Sequence, residues 1–283
     1  MLRPFCLIAL LGAAPACADA TLIGSFVWQS NDPGFGGFSA IDLADDGVGF
    51  IALSDRGHIT QGTLIRENGV ITDVAFGPLE VLRAPHRAPL QRAERDSEGL
   101  AVASDGTIFV SFEWTHGLRS YDRVGGFGSD LITTPAFEAL QSNSSLEALA
   151  IGPDGALYTL PERSGMANRP FPVFRYQDGV WDQPFEIPRY GPYLIAGADI
   201  GPDGRFYVLE RDFAGIGFRS RVRRFDLDGG SEEVVLQTGL GVHDNLEGIS
   251  IWQDDIGLRM TLISDDNFRF FQQTQIVEYR LTD

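Results

Sequence analysis

Five copies of one sequence pattern run through the chain and constrain its fold more than any other feature. Each copy has a small or acidic start, an alternating apolar strand, a turn (Asp-Gly in four of the five), a second apolar strand and an acidic end. The copies occupy residues 38–55, 97–113, 146–162, 196–211 and 246–266. Repeats of 20 to 50 residues are typical of solenoids, propellers and arrays, in which each repeat forms one supersecondary unit.

The spacing of the repeats predicts a closed ring. Equivalent starting positions are separated by 59, 49, 49 and 51 residues, and each interval has room for four short strands. The last repeat has only three, and residues 22–28 can supply the fourth, which is how β-propellers close. We therefore predict an all-β chain that forms a single propeller of five blades, with six as the alternative if residues 56–97 hold another. A weak strand near residues 137–140 completes the second blade in this prediction.

The N-terminal segment is typical of a secretory signal peptide. An arginine precedes an apolar stretch over residues 5–14, and small residues follow, as in secretory signals. The stretch is too short to cross a bilayer as a helix. We predict a signal peptide over residues 1–18, a propeller domain over 19–283 and export to the periplasm or medium, with a lipoprotein anchored at Cys17 as a minor alternative. Both cysteines, Cys6 and Cys17, lie in this signal, so the mature chain would hold no disulfide.

The charge of the chain limits its partners. It contains 39 acidic residues against 22 basic ones, a formal net charge of −17, and the 22 are all arginine. Such a negative chain repels nucleic-acid phosphates and anionic membranes, and without lysine neither Schiff-base chemistry nor a P-loop is available. We expect a monomer that binds a small molecule, with no nucleic-acid partner and no membrane span.

Acidic residues recur at two positions of the repeat, before the first strand and after the second. In a propeller blade the first strand lines the central channel and the second runs back beside it, so these positions meet at one face of the disc. The Asp-Gly turns lie at the other face. The predicted collar of carboxylates consists of Asp55, Glu98, Glu113, Glu147, Glu162, Glu210, Glu247 and Asp265. Ala196 leaves a gap in its inner ring.

A collar of this kind needs a cation, because two carboxylates about 6 Å apart repel by about 3 kcal/mol at an effective dielectric constant of about 20. Calcium suits a ligand set made only of oxygens. The alternative is structural, with each Glu accepting backbone N–H groups from the next blade. Arginines beside the collar could bind an anionic group through their planar forks, or pair with neighbouring acids. His58 and His243 lie near the same face and could act as acid or base.

Six short motifs occur in a fixed order along the chain. They are GFSAI (37–41), ALSDRG (52–57), DSEGLA (96–101), LEALA (146–150), PERS (161–164) and NLEGI (245–249). In that order they resemble the phytase-like esterase family of exported bacterial β-propellers. The resemblance implies a propeller that hydrolyses phosphoesters or esters with bound calcium. By the same resemblance, the candidate metal ligands are Asp55, Glu98, Glu147, Glu247 and Asp265, and the candidate substrate contacts are Arg56, Arg163 and Arg211.

The function predicted from these arguments is an exported, calcium-dependent phosphomonoesterase or esterase that acts on a small anionic ester at the mouth of the channel. His243 and Glu162 are the candidate catalytic acid and base. Two alternatives stay open. One is a lactonase-like propeller, in which calcium activates a ring ester. The other is a non-catalytic periplasmic propeller whose acidic face binds a ligand or partner.

Overall fold

The fold is a five-bladed β-propeller, as predicted. The computed structural model describes residues 20–85, 90–91, 94–141 and 144–282, so the predicted signal peptide and Cys17 lie outside the described residues. Within those ranges the strands form five antiparallel sheets around a central channel. None of the helices described there has the length and apolar character that a membrane crossing requires.

Each blade starts with its innermost strand. The first blade contains β2 (Phe38–Leu43), β3 (Gly49–Ser54), β4 (His58–Glu67), β5 (Val70–Phe76) and the short β6 (Glu80–Val81), and the second contains β7 (Ser97–Val102), β8 (Ile108–Phe112) and β9 (Gly117–Tyr121). The third contains β10 (Leu146–Ile151), β11 (Leu157–Pro161), β12 (Phe171–Gln177) and β13 (Val180–Ile187). The fourth contains β14 (Leu194–Ile200), β15 (Phe206–Phe213), β16 (Phe218–Phe225) and β17 (Glu233–Gln237). The fifth contains β18 (Asn245–Gln253), β19 (Leu258–Asp265), β20 (Gln275–Leu281) and β1 (Ala20–Val27).

The N-terminal strand closes the ring. β1 pairs antiparallel with β20, from Ala20 opposite Leu281 to Val27 opposite Gln275. This confirms that a strand from the start of the chain completes the last blade. The hydrophobic core consists of five apolar clusters, and each cluster lies between two neighbouring blades. Blade-to-blade packing of apolar side chains therefore stabilises the ring.

Two strand predictions are corrected by the structure. Residues 137–140 do not form a strand: Pro135–Ala139 is a 3₁₀ helix that Thr134 caps, and Phe137 packs into the core. Proline at the start of that segment suits a helical turn and cannot donate to a sheet. The six-blade alternative is also wrong, because β4, β5 and β6 extend the first sheet outward rather than form a further blade.

A β-bulge interrupts the pairing of the two inner strands at the same place in every blade. The register shifts between Phe38 and Ala40, Ser97 and Leu100, Leu146 and Ala148, Ile195 and Gly197, and Leu246 and Gly248. A bulge adds a residue to one strand and redirects its side chain. The bulge residues include every predicted inner-ring position: Ser39, Glu98, Glu147, Ala196 and Glu247.

Small residues after the bulges allow the inner strands to approach closely. A Cβ atom on Gly248 would lie 2.8 Å from both the Cα of Ala40 and the backbone nitrogen of Ile41 in the next blade. A Cβ on Gly99 would lie 2.7 Å from the backbone nitrogen of Leu149. Real Cβ atoms do not approach backbone atoms so closely, so glycine at these two positions sets the width of the channel.

We expect Gly248→Ala to lower the free energy of unfolding by about 1–3 kcal/mol, the usual range for overpacking a core. The nearest atom to the added Cβ is Ile263 Cγ2 of the same blade, at 2.6 Å, and that side chain can adjust. The next two atoms belong to the main chain of the neighbouring blade, so its backbone must move. Urea denaturation followed by circular dichroism measures the loss. The matched control is Gly49→Ala in β3, where the nearest atom to the added Cβ is 3.5 Å away. Equal losses in the two variants would show that interblade approach is not the cause.

Candidate acidic site at the channel mouth

The five bulges direct their side chains into one narrow cavity on the propeller axis. Ser39, Glu98, Glu147, Ala196 and Glu247 all line it. Glu147 and Glu247 are buried. The inner ring predicted from the repeats is therefore present, with carboxylates from the second, third and fifth blades.

A second ring follows the second strand of each blade. The residues that pair beside the bulges are Ser54, Phe112, Pro161, Glu210 and Ser264. The next residue in each blade is Asp55, Glu113, Glu162, Arg211 and Asp265 respectively. The fourth blade thus contributes an arginine at this position, and the predicted place of Glu210 in the collar is wrong by one residue. A shift of one residue along a strand moves a side chain to the opposite face.

Glu210 instead belongs to a buried ion cluster within the fourth blade. Its side chain is fully buried, and its oxygens accept hydrogen bonds of 2.7–3.0 Å from the guanidinium groups of Arg221 and Arg223. Arg223 is itself fully buried and also contacts Glu232 at 2.7 Å. This cluster lies between β15 and β16 and stabilises the blade rather than the channel mouth.

Arg211 is the cation of the collar. Its Nη1 lies 2.7 Å from Glu247 Oε1, and its Nη2 lies 3.3 Å from Glu147 Oε1 and 3.4 Å from Glu162 Oε1. The side chain is only 20% exposed. Ala196, in the same blade, lacks a side chain that would compete for this space. Arg211 therefore neutralises part of the collar, and its predicted contact with substrate stays a prediction.

Two carboxylates of the collar, Glu98 and Glu113, lie together with Asp96, and none of the three forms an ion pair with a described arginine; we call them the cation-free trio. Oxygens of Asp96, Glu98 and Glu113 fall within 4.8 Å of one another, the only such group of potential metal ligands in the described parts of the chain. Burial is the main cause that raises the pKa of all three, and Glu147 adds to the effect at Glu98. The pKa of Glu113 rises to about 8, with the Asp96 charge as the next cause. Each of these groups would be ionised more readily beside a divalent cation.

Sequence reasoning missed Asp96. It precedes Glu98 by two residues in the motif Asp-Ser-Glu, a spacing that places both side chains on the same side of an extended chain. That alternation was the available signal.

Asp55 and Asp265 face Glu247 from the first and fifth blades. Burial raises the pKa of Asp55 to about 7 and that of Asp265 to about 8, and the Glu247 charge is the next cause in both cases. The Oδ1 atom of Asp265 accepts a hydrogen bond of 2.6 Å from the backbone nitrogen of Asn267. The five predicted ligands thus surround one mouth but divide among three groups. Glu98 lies in the cation-free trio, Glu147 contacts Arg211, and Asp55 and Asp265 lie near Glu247.

The other predicted site residues lie around the mouth in different settings. Glu162 contacts Arg163 at 3.0 Å as well as Arg211. The guanidinium carbon of Arg56 lies 3.2 Å from the centroid of the Phe268 ring. His243 does not line the channel cavity; its Nε2 lies 2.5 Å from the Tyr279 hydroxyl, and burial lowers its pKa. The acid–base roles of His243 and Glu162 stay predictions.

Comparison with known proteins gives a family match and a fold match. The family model "Phytase-like: Esterase-like activity of phytase" matches residues 33–268. The structure is similar to the PQQ-bound form of aldose sugar dehydrogenase from Streptomyces coelicolor, with 14% identity over 95% of this chain and 100% of that one and a TM-score of 0.53. It is also similar to the calcium-binding protein regucalcin from Agrobacterium tumefaciens, with 11% identity over 94% and 97% of the two chains and a TM-score of 0.52. At these identities the likeness shows the fold alone. Sequence comparison with curated proteins gives no match.

Proposed function

This chain belongs to the phytase-like family described as esterase-like activity of phytase, and from that premise we propose that it hydrolyses a small anionic ester or phosphomonoester with bound calcium. The observation that carries the proposal is the trio of Asp96, Glu98 and Glu113 at the mouth of the channel. Three carboxylates that are this close and form no ion pair among the described residues favour a hard divalent cation.

The trio fits calcium by its chemistry and its dimensions. Oxygens bound to one calcium ion at about 2.4 Å lie at most about 4.8 Å apart, and the oxygens of the trio satisfy that limit. The trio contains no histidine or cysteine that would favour a transition metal. When bound there, calcium would polarise a phosphoryl or carbonyl oxygen and lower the pKa of a coordinated water.

The residues of the chain have separable roles in this proposal. Glu98 lines the channel cavity, and no hydrogen bond to its carboxylate is seen among the described residues, so its oxygens are available to a ligand. Arg211 holds Glu147 and Glu247 in fixed positions on the far side of the mouth. Arg56 and Arg163 present guanidinium groups that would bind the anionic part of the substrate.

We also propose that the chain is exported and acts as a monomer. The support for export is the apolar stretch over residues 5–14 with small residues after it, a part of the sequence outside the described residues.

The test of the proposed function is Glu98→Gln. We expect isothermal titration calorimetry to show that the EDTA-treated wild type binds calcium and that this change lowers the affinity at least about tenfold. Even changes to groups that only support a metal ligand lower metal affinity by about 10–100-fold. Turnover of p-nitrophenyl phosphate or p-nitrophenyl acetate by the calcium-loaded protein should fall in parallel. The matched control is Glu138→Gln, which makes the same change at an exposed site.

Two results would contradict the proposal. Calcium binding that is equally strong in Glu98→Gln and in the wild type would show that the trio does not hold the ion. Calcium binding without turnover on either ester would exclude these classes of hydrolysis and favour a binding propeller.

A further inference from the structure

Arginines that lack a carboxylate partner gather on the face that holds the collar. Most described arginines form an ion pair with Asp or Glu. The described arginines that form none are Arg56, Arg95, Arg119, Arg169, Arg189 and Arg269. All but Arg119 lie in loops that open on the collar face. In a chain with a net charge of −17, unpaired guanidinium groups at one face indicate that this face binds an anion.

Two of these arginines lie beside His58 at the edge of the mouth. A Cβ atom on Gly57 would lie 2.9 Å from Arg95 Cβ and 3.2 Å from Arg95 Cγ, so the Arg95 side chain rests directly on the backbone between Arg56 and His58. The Arg95 Nε atom donates a hydrogen bond of 2.8 Å to the carbonyl of Leu90. The Arg56 guanidinium stacks on Phe268. Both side chains are thus held in place, while their terminal nitrogens have no hydrogen-bond partner among the described residues.

His58 contributes a buried polar atom that also lacks a partner. Its Nδ1 is buried and forms no hydrogen bond within the described residues, whereas about 90% or more of buried polar groups in proteins form one. Burial, followed by the charge of Arg95, lowers the pKa of His58, and Asp32 opposes the effect. Asp32, Asp55 and Asp96 are acidic neighbours of this cluster, and none of the three forms an ion pair with it among the described residues.

We propose that Arg56, His58 and Arg95 form a binding subsite for an oxyanion, either a phosphoryl or a carboxylate group. Guanidinium groups bind two oxygens of such a group in parallel. The His58 Nδ1 atom, which is buried in this conformation, would reach a third oxygen after rotation of the ring. Arg95 adjoins Asp96 of the trio in sequence, so the subsite lies beside the candidate metal ligands. The identification of this oxyanion as part of the substrate rests on the proposed function; the binding itself requires no metal.

The subsite is tested by titrating the EDTA-treated protein with inorganic phosphate and, separately, with acetate, using isothermal titration calorimetry. We expect at least one of the two to bind, and Arg95→Gln to weaken that binding about tenfold or more, as for the loss of charge-assisted hydrogen bonds. Arg95→Lys keeps the charge but loses the planar guanidinium fork. Its affinity for the anion should therefore lie between the affinities of the wild type and Arg95→Gln. Tighter phosphate binding indicates a phosphoryl group, and tighter acetate binding indicates a carboxylate.

The control for charge alone is Arg123→Gln, since Arg123 is 68% exposed and pairs only with Asp122. Binding that is unchanged in Arg95→Gln, or weakened equally in Arg123→Gln, would overturn the proposal, as would the failure of the wild type to bind either anion. Because no metal is present in these titrations, the result is independent of whether Glu98→Gln alters calcium binding or turnover.

Discussion

Replacing Arg211 with Met is expected to lower the free energy of unfolding by about 3–5 kcal/mol at pH 8 in EDTA, the range observed when one partner of a buried ion pair is removed. Arg211 is the guanidinium that Glu147, Glu162 and Glu247 share. Methionine retains much of the apolar volume but leaves these carboxylates without a cation. Urea denaturation of the wild type and the variant, followed by circular dichroism, measures the difference.

The loss of stability in Arg211→Met should depend on pH and on calcium. The pKa values of Asp55, Glu113 and Asp265 are raised to about 7, 8 and 8, against about 4 in an unfolded chain. The folded state therefore binds more protons between about pH 4 and pH 8, and stability falls as the pH rises through that range. Without Arg211 the fall becomes steeper, so the variant should approach the wild type at pH 5. Calcium at pH 8 should restore stability by replacing the lost positive charge.

Arg175→Met is the control for this experiment, because Arg175 pairs with Asp182 at 2.6 Å on the surface of the third blade. An exposed pair of this kind contributes about 0–1 kcal/mol. A loss in Arg211→Met no larger than in the control, or equally large at pH 5 and pH 8, would show that the guanidinium does not balance the collar.

The repeats predict the propeller because topology follows directly from their spacing. Five equivalent starts and a strand left over at the N-terminus require a ring of five that the first strand closes, and β1 occupies that place. The same reasoning places acidic residues at one face. The prediction of a fourth strand at residues 137–140 is wrong, because Pro135 favours a helical turn there.

The position of the collar residue in the fourth blade is readable from the Asp-Gly turns. Glu113 and Glu162 each follow the aspartate of their own turn by eight residues, and the same count from Asp203 ends at Arg211. The repeat pattern favours Glu210 instead, because an acid is expected at the end of the second strand. The bulge between Ile195 and Gly197 does not set the fourth blade apart, since every blade has a bulge at the same place.

The sequence also does not reveal which carboxylates of the collar contact an arginine. Glu98, Glu147 and Glu247 are equivalent in the repeat, yet two of them contact Arg211 and the third lies in the cation-free trio. The difference arises because Arg211 extends from the fourth blade toward its two neighbours, the third and the fifth. Arg211 forms no ion pair with the described residues of the second blade, although its charge opposes the raised pKa of Glu113. The candidate metal site is therefore in that blade.

Glu210→Gln is expected to lower the free energy of unfolding by about 3–5 kcal/mol as well, but for the opposite reason. The change leaves Arg221 and Arg223 in a buried setting with one neutral acceptor in place of a carboxylate. Arginine stays charged across the accessible pH range, and a divalent cation cannot replace a missing anion. We therefore expect that neither pH 5 nor calcium restores the stability of Glu210→Gln, in contrast to Arg211→Met.

Glu210→Gln and Arg211→Met together test the register of the fourth blade, in which Glu210 lies in the core and Arg211 lies at the channel mouth. The control is Glu233→Gln. The Glu233 side chain is 40% exposed and pairs with Arg224, so this change should lower the free energy of unfolding by about 1 kcal/mol or less. If Glu210→Gln were restored by calcium and Arg211→Met were not, the register of the fourth blade would be reversed. If Glu210→Gln does not accumulate as folded protein, Arg221→Met in the same background should recover it in part, because Arg221 loses its carboxylate partner whereas Arg223 keeps Glu232.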